Sequence, residues 1–165
     1  MLISQLMNQR LNEQITNELG ASHAYMGMAS AFDKMGLKLL SKRFEQQSDE
    51  ERGHAMKILK YIQDIGGTVM LDAIPKPQPV NPVPRAVVEA ALQSELTVTR
   101  QIYDLVSLAE QERDYATRSF LQWFVDEQVE EVDQMSELLQ LMTIAGEANL
   151  LTVESRLAAL MEQQG

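Results

Sequence analysis

The chain has 165 residues, about one domain's worth and enough to bury a continuous core, and it carries 24 acidic against 14 basic side chains for a net charge of −10. That balance argues against nucleic acid or an anionic membrane surface as the main partner and favours cations. Cysteine is absent, which excludes disulfides, thiolate-held zinc and iron–sulfur clusters, so any metal must be held by oxygen and imidazole.

The opening MLISQLMNQRLNEQ has no basic segment followed by an apolar run. No stretch approaches the roughly 18 apolar residues of a membrane span. A soluble, unexported, cytoplasmic protein is expected, with one domain over residues 1–165. Strand signals are weak, whereas apolar residues recur at spacings of three and four, so the fold class is all-α.

The first helix is predicted over about 5–35, with a buried seam of Leu11, Ile15, Glu18, Ser22, Tyr25, Ala29 and Phe32. Gly36 ends it, and a second follows over about 38–66 with the seam Leu40, Phe44, Gln47, Glu51, His54, Ile58, Tyr61 and Ile65. Gly66-Gly67 then opens a stretch holding every proline of the chain, Pro75, Pro77, Pro79, Pro82 and Pro84, which can be neither helix nor central strand. Its roughly 17 extended residues reach on the order of 50 Å, and a helix of about 30 residues is roughly 45 Å long. The connection can therefore run the length of a bundle and leave the second and third helices parallel, which gives a four-helix bundle with one long crossover.

The third helix, about 84–113, carries Val88, Leu92, Glu95, Thr99, Ile102, Val106 and Ala109 on its seam. Arg113-Asp114 breaks it. The fourth, about 115–144, carries Leu121, Phe124, Gln128, Glu131, Met135, Leu138 and Met142. A short fifth helix is predicted over about 148–162; its apolar Leu150, Leu151, Val153, Leu157 and Leu160 have no partner in the four-helix count and are expected to pack at a subunit contact rather than inside one chain.

Each seam is apolar at both ends and acidic in its middle. Glu51 and His54 follow Glu18 by 33 and 36 residues, and Gln128 and Glu131 follow Glu95 by the same 33 and 36. The two hairpins share one register, so their polar groups should meet at one level. Buried carboxylates persist only if protonated or neutralised, and no Lys or Arg lies on the seams near that level. Metal is the simplest neutraliser. Glu51 and His54, three residues apart, share a helix face, and hard carboxylates with one imidazole suit iron or manganese, with zinc as a competitor.

A lone Glu or His on a stripe is ordinarily a boundary residue; five such positions in one layer, repeated across two hairpins, favour the metal reading. Glu50, Glu127 and Glu130 flank the layer and have two readings, a solvated acidic face or a third, more exposed ion site. Tyr25 is either a core tyrosine with a satisfied hydroxyl or a hydrogen-bonding partner and one-electron donor to the metals. Trp123 and the ten methionines read as packing residues, and His23, off the seam, has no metal role.

Taken together, NELGASHAYMGMA around Glu18 and Tyr25, DEERGHAMK with Glu51 and His54, SEL at Glu95 and FLQWFVDEQVEE with Gln128 and Glu131 resemble the bacterial non-haem ferritins over nearly the whole chain. The resemblance implies the ferritin-like bundle with a short fifth helix, an arrangement already typical of di-iron carboxylate proteins. It implies a ferroxidase centre: Glu18 and His54 on the first iron, Glu51 bridging, Glu95 and Glu131 on the second, and Gln128 hydrogen-bonding nearby. Glu50, Glu127, Glu130 and Glu131 match the third iron site of the bacterial branch. Fe(II) would be oxidised by dioxygen or hydrogen peroxide and stored as ferric mineral in a homo-oligomer of 24 subunits. Bacterioferritins differ in a second Glu-x-x-His on the fourth helix and a haem-clasping methionine. Gln128 and Glu131 stand in the one place and Arg52 in the other, so no haem is expected. The competing reading is a di-iron or di-manganese oxidase or peroxidase without a storage role.

Overall fold

The computed structural model describes residues 2–164, and side chains through residue 162. The ends of the expected domain, Met1 and Gly165, lie outside the described residues. Four long helices, α1 (Gln5–Lys34), α2 (Lys38–Asp64), α3 (Pro84–Glu112) and α4 (Tyr115–Ala145), are followed by a 3-10 turn (Glu147–Asn149) and α5 (Leu150–Gln164). No strand occurs among the described residues.

The boundaries follow local chemistry. Ser4 caps α1 by accepting from the Met7 amide, Pro84 sits in the first turn of α3 where its missing N–H costs nothing, and Asp114 caps α4 through the Thr117 amide. Gly36 (φ 80°) turns α1 into α2, while Arg113 (φ 56°) takes the left-handed position between α3 and α4.

The crossover is fixed at its start by two buried asparagines. Asn8 and Asn12 donate their side-chain amides to the Thr68 carbonyl at 3.1 and 2.9 Å, and their oxygens accept from the amides of Thr68 and Met70 at 2.9 and 2.6 Å. These side chains do what a neighbouring strand would do, satisfying backbone groups of a segment that has no ladder of its own.

The apolar core falls into two clusters. One gathers Phe32, Leu40, Phe44, Val88, Leu138 and Met142. The other gathers Leu11, Ile15, Ile58, Ile62, Ile102 and Leu121. Between them lies the polar layer. On α1 and α4 every seam residue is buried. On α2 the stripe slips beyond His54, so that Ile62 is buried while Tyr61 and Ile65 are half-buried; on α3 Ala91, Val98 and Leu105 are buried while Leu92, Thr99 and Val106 are half-buried. The four-and-three stepping drifts against the true helical period of 3.6.

The fifth helix corrects one expectation. It packs inside the chain, with Val153 and Leu157 in the first cluster, while Leu151 and Leu160 remain exposed. Buried Glu154 explains the docking: its carboxylate accepts from the Leu39 and Leu40 amides, both at 2.8 Å. α2 has no side-chain cap of its own, its capping position being Leu37, so α5 supplies one from outside the helix.

Candidate metal centre

The polar layer is assembled by helix register. Glu18 comes from α1, Glu51 and His54 from α2, Glu95 from α3 and Glu131 from α4, and all five are at most 5 % exposed. Just beside the layer α1 and α2 are locked by a reciprocal pair: Ser22 Oγ donates to the Ser48 carbonyl at 2.7 Å and Ser48 Oγ to the Ser22 carbonyl at 2.8 Å. Small side chains there let the two backbones approach. Between α2 and α4, by contrast, no Cα pair comes within 8 Å. That gap is spanned by long side chains, Arg43 to Gln134 at 2.6 Å and Gln47 to Glu131 at 2.7 Å.

Within the layer, Glu18, Glu51 and His54 each offer one ligand atom, all within 4.8 Å of one another; Glu51, Glu95 and Glu131 do the same, as do His54, Glu127 and Glu131. Glu51 belongs to the first two groups and Glu131 to the last two. His54 Nδ1 faces Glu51 Oε2 at 3.4 Å and Glu18 Oε2 at 3.9 Å, and its Nε2 lies 3.8 Å from Glu127 Oε1. These are ion-pair distances without hydrogen bonds. Glu18 Oε2, Glu51 Oε2 and His54 Nδ1 are buried with no hydrogen-bond partner. An orphaned buried polar atom costs on the order of 1–3 kcal/mol, and three in one spot fit a bound cation, which would satisfy all three at once.

Electrostatics points the same way. Burial and then the adjacent Glu51 raise the Glu18 carboxyl well above its ordinary range. Burial with Glu51 raises Glu95 to about 7, and burial with Glu95 and Glu51 raises Glu131 to about 8. Burial alone would lower His54, but the neighbouring Glu51, Glu18 and Glu131 outweigh it and hold the imidazole up at about 9. Protons thus balance in this layer what a divalent cation would balance more completely.

The remaining expected residues divide. Tyr25 donates a short hydrogen bond to Glu95 Oε1, and burial followed by the Glu95 charge pushes its phenol well up. Gln128 Nε2 lies 3.3 Å from the other oxygen of Glu95, 3.2 Å from the Glu95 carbonyl and 3.2 Å from Thr99 Oγ1. Together they clamp Glu95 from both sides. Glu127 is half-buried and joins the layer, whereas Glu50 and Glu130 are exposed and enter none of the three ligand groups among the described residues. Glu50 lies 3.9 Å from Arg43. His23 and Arg52 are exposed.

Three residues near the site escaped the sequence reading of function. Trp123 packs edge-on against His54, centroids 5.4 Å apart, with Lys57 Nζ 3.9 Å above its ring. Gln47 donates to Glu51 Oε1 at 3.1 Å as well as to Glu131, and Gln14 donates to Glu18 Oε1 at 2.9 Å. Both glutamines stand four residues before the glutamate they touch, a spacing that places them on its face. That signal was available in the sequence, but glutamine at such a spacing is usually solvated.

Comparison with known proteins agrees with this geometry. Residues 8–145 match the family model described as Ferritin-like domain. The chain is 38% identical over 146 residues to the bacterial non-heme ferritin of Staphylococcus aureus (strain USA300), covering 88% of each, and 38% identical over 160 residues to that of Staphylococcus epidermidis, covering 96% of each. Among solved structures it is similar to an open pore ferritin from the hyperthermophilic archaeon Archaeoglobus fulgidus, with a TM-score of 0.92 and 39% identity over 94% of this chain and 96% of that one. An engineered closed form of the same archaeal ferritin superposes with a TM-score of 0.91. With its bundle, its crossover and its layer of carboxylates, this chain belongs to the ferritin family.

Proposed function

We propose that the chain is one ferritin-like domain over residues 1–165 that oxidises Fe(II) at a dinuclear centre and stores the Fe(III) as hydrated oxide within a homo-oligomeric shell of 24 subunits. The observation that carries this reading is the pair of ligand groups joined through Glu51. A protein that only held iron would not need two adjacent positions on a shared carboxylate.

In this reading Glu18 and His54 hold one iron, Glu95 and Glu131 the other, and Glu51 both. Two ferrous ions each give one electron to dioxygen, which takes up two protons to leave as hydrogen peroxide; with peroxide as oxidant, two electrons and two protons give two waters. Carboxylate ligands favour the ferric product because its higher charge gains more from them. Tyr25 and Gln128 keep Glu95 oriented as charge builds, and the tyrosine is placed to serve as a further one-electron donor. Glu127 and Glu131, which share a ligand group in the layer, would hold the third, more exposed iron, with Glu50 and Glu130 at its rim. Haem has no part in this reading, because Arg52 stands where a haem-clasping methionine would be expected, and a cytoplasmic location goes with the storage role. No helix among the described residues is long and apolar enough to cross a membrane.

The test is stopped-flow absorbance after mixing aerobic apoprotein with Fe(II), followed by sizing of the same sample. A fast phase saturating at two irons per subunit, lost in Glu18→Ala and His54→Ala, in a particle of shell size, is the expected result. Slow, unsaturable oxidation would exclude the ferroxidase, and a small oligomer retaining only a few irons per subunit would exclude storage.

A further inference from the structure

The orientation of Glu18 is set by a residue that the proposed reaction does not use. Gln14, one turn earlier on α1, is 2 % exposed. Its Oε1 accepts from Asn17 Nδ2 at 3.2 Å, which fixes the amide so that Nε2 faces inward and donates to Glu18 Oε1 at 2.9 Å. The same Nε2 lies 3.4 Å from Gln101 Oε1 on α3. On its other side Gln14 lines a surface cavity of about 190 Å³ shared with Arg10, Glu13, Asn17, Gln101 and Asp104. The amide therefore stands between solvent on the α1–α3 face and a wholly buried carboxylate.

The two oxygens of Glu18 are thereby made unequal. Oε1 is taken by Gln14, while Oε2 has no hydrogen-bond partner and is the oxygen near His54 Nδ1. Without the amide, nothing on the α1 side would distinguish them, and the carboxylate would be free to turn. Gln47, the counterpart of Gln14 on α2, cannot substitute, because its Nε2 serves Glu51 and Glu131.

We propose that Gln14 is a positioning residue for the first metal position, pinning Glu18 Oε1 so that Oε2 is presented to an ion shared with Glu51 and His54. The effect is confined to one ion of the pair, since Gln14 touches neither Glu95 nor Glu131 ligands and Gln47 already orients the bridging carboxylate. This rests on the reading of Glu18, Glu51 and His54 as metal ligands. A partner of this kind, bonded to a ligand rather than to the metal, is typically worth about 10–100-fold in metal affinity.

The experiment is a Co(II) titration of the full-length apoprotein, followed by calorimetry and visible absorbance, for wild type, Gln14→Leu, Gln14→Met and Gln101→Leu. The methionine variant keeps the test open if a branched side chain prevents folding. Gln101→Leu alters the same cavity without touching Glu18. The expected result is two ions in wild type and in both Gln14 variants, with the affinity of one lowered about 10–100-fold and the other within twofold, and Gln101→Leu close to wild type. Unchanged affinities in the Gln14 variants, equal weakening of both ions, or an equal effect of Gln101→Leu would overturn the positioning role alone. Wild type that binds no Co(II) would instead remove the metal-centre reading on which it rests.

Discussion

The protons held in the polar layer should make the metal-free protein lose stability as pH rises. Glu131 is raised to about 8 and Glu95 to about 7 by burial and mutual repulsion, against 4.5 in the unfolded chain. Between pH 4.5 and these values the folded state binds more protons than the unfolded one, so stability is full below about 4.5 and is lost as pH climbs through 7 and 8. His54, held at about 9, adds a loss of the same sign above its ordinary 6.5. A group that keeps its proton only in the folded chain contributes about 1.4 kcal/mol per pH unit. Each of the two carboxylates owes part of its proton to the other, so the pair is worth on the order of 5 kcal/mol rather than the roughly 8 kcal/mol of two independent groups.

For a chain of this length that corresponds to roughly 10–20 °C in the unfolding midpoint. The assay is differential scanning fluorimetry in EDTA from pH 5 to 8.5 at fixed scan rate and ionic strength, with Glu131→Gln alongside. The amide preserves an acceptor for Gln47 Nε2 and removes one titrating charge, so its profile should be flatter and its midpoint higher than wild type at pH 8. Saturating Zn(II) should reverse the wild-type trend, because the ion pairs with the ionised carboxylates and competes with protons for them. A metal-free midpoint that is flat or rises from pH 5 to 8, with Glu131→Gln running parallel to wild type, would refute the account of the layer as proton-balanced.

Zn(II) loading at pH 6.5 should release more than one proton per subunit, because Glu95, Glu131 and His54 all hold protons there; titration calorimetry in buffers of different ionisation heat reads the number, and a value of zero would contradict the shifts. Gly67→Ala should cost about 1–3 kcal/mol in urea unfolding, since a Cβ would stand 2.5 Å from Asn8 Oδ1 and 2.9 Å from Ile62 Cγ2, forcing apart the clamp that starts the crossover. Glu154→Ala removes both hydrogen bonds to the start of α2 and should cost about 1–2 kcal/mol. It should also speed tryptic cleavage after Arg156, and cleavage at the wild-type rate would mean that Val153 and Leu157 alone hold α5.

What was legible in the sequence is what helix periodicity carries. The four helices, the proline crossover and the level at which Glu18, Glu51, His54, Glu95 and Glu131 meet all follow from spacing along single segments, because a helix turns spacing into direction. Contacts between segments far apart in the chain have no such signature. Glu154 caps a helix more than a hundred residues earlier, and Asn8 and Asn12 hold a loop nearly sixty residues later; each reads in sequence as an ordinary polar surface residue. The same limit explains why α5 was expected at a subunit contact: an apolar stripe shows that a face is buried, not what buries it.

The architecture also separates stability from chemistry. The two apolar clusters lie on either side of the polar layer, so the bundle is held at both ends and its middle can be costly. α1 and α2 are locked beside the site by Ser22 and Ser48, whereas α2 and α4 stand wider apart and meet through side chains, Arg43 on Gln134, Gln47 on Glu131 and the stacked rings of Tyr61 and Phe120. The wider seam beside the site is the one between His54 and Glu131, where Glu127 and Trp123 also lie. An ion pair whose charge rises on oxidation needs ligands that can shift by fractions of an ångström, and long side chains across a wide seam provide that freedom without disturbing the packed ends.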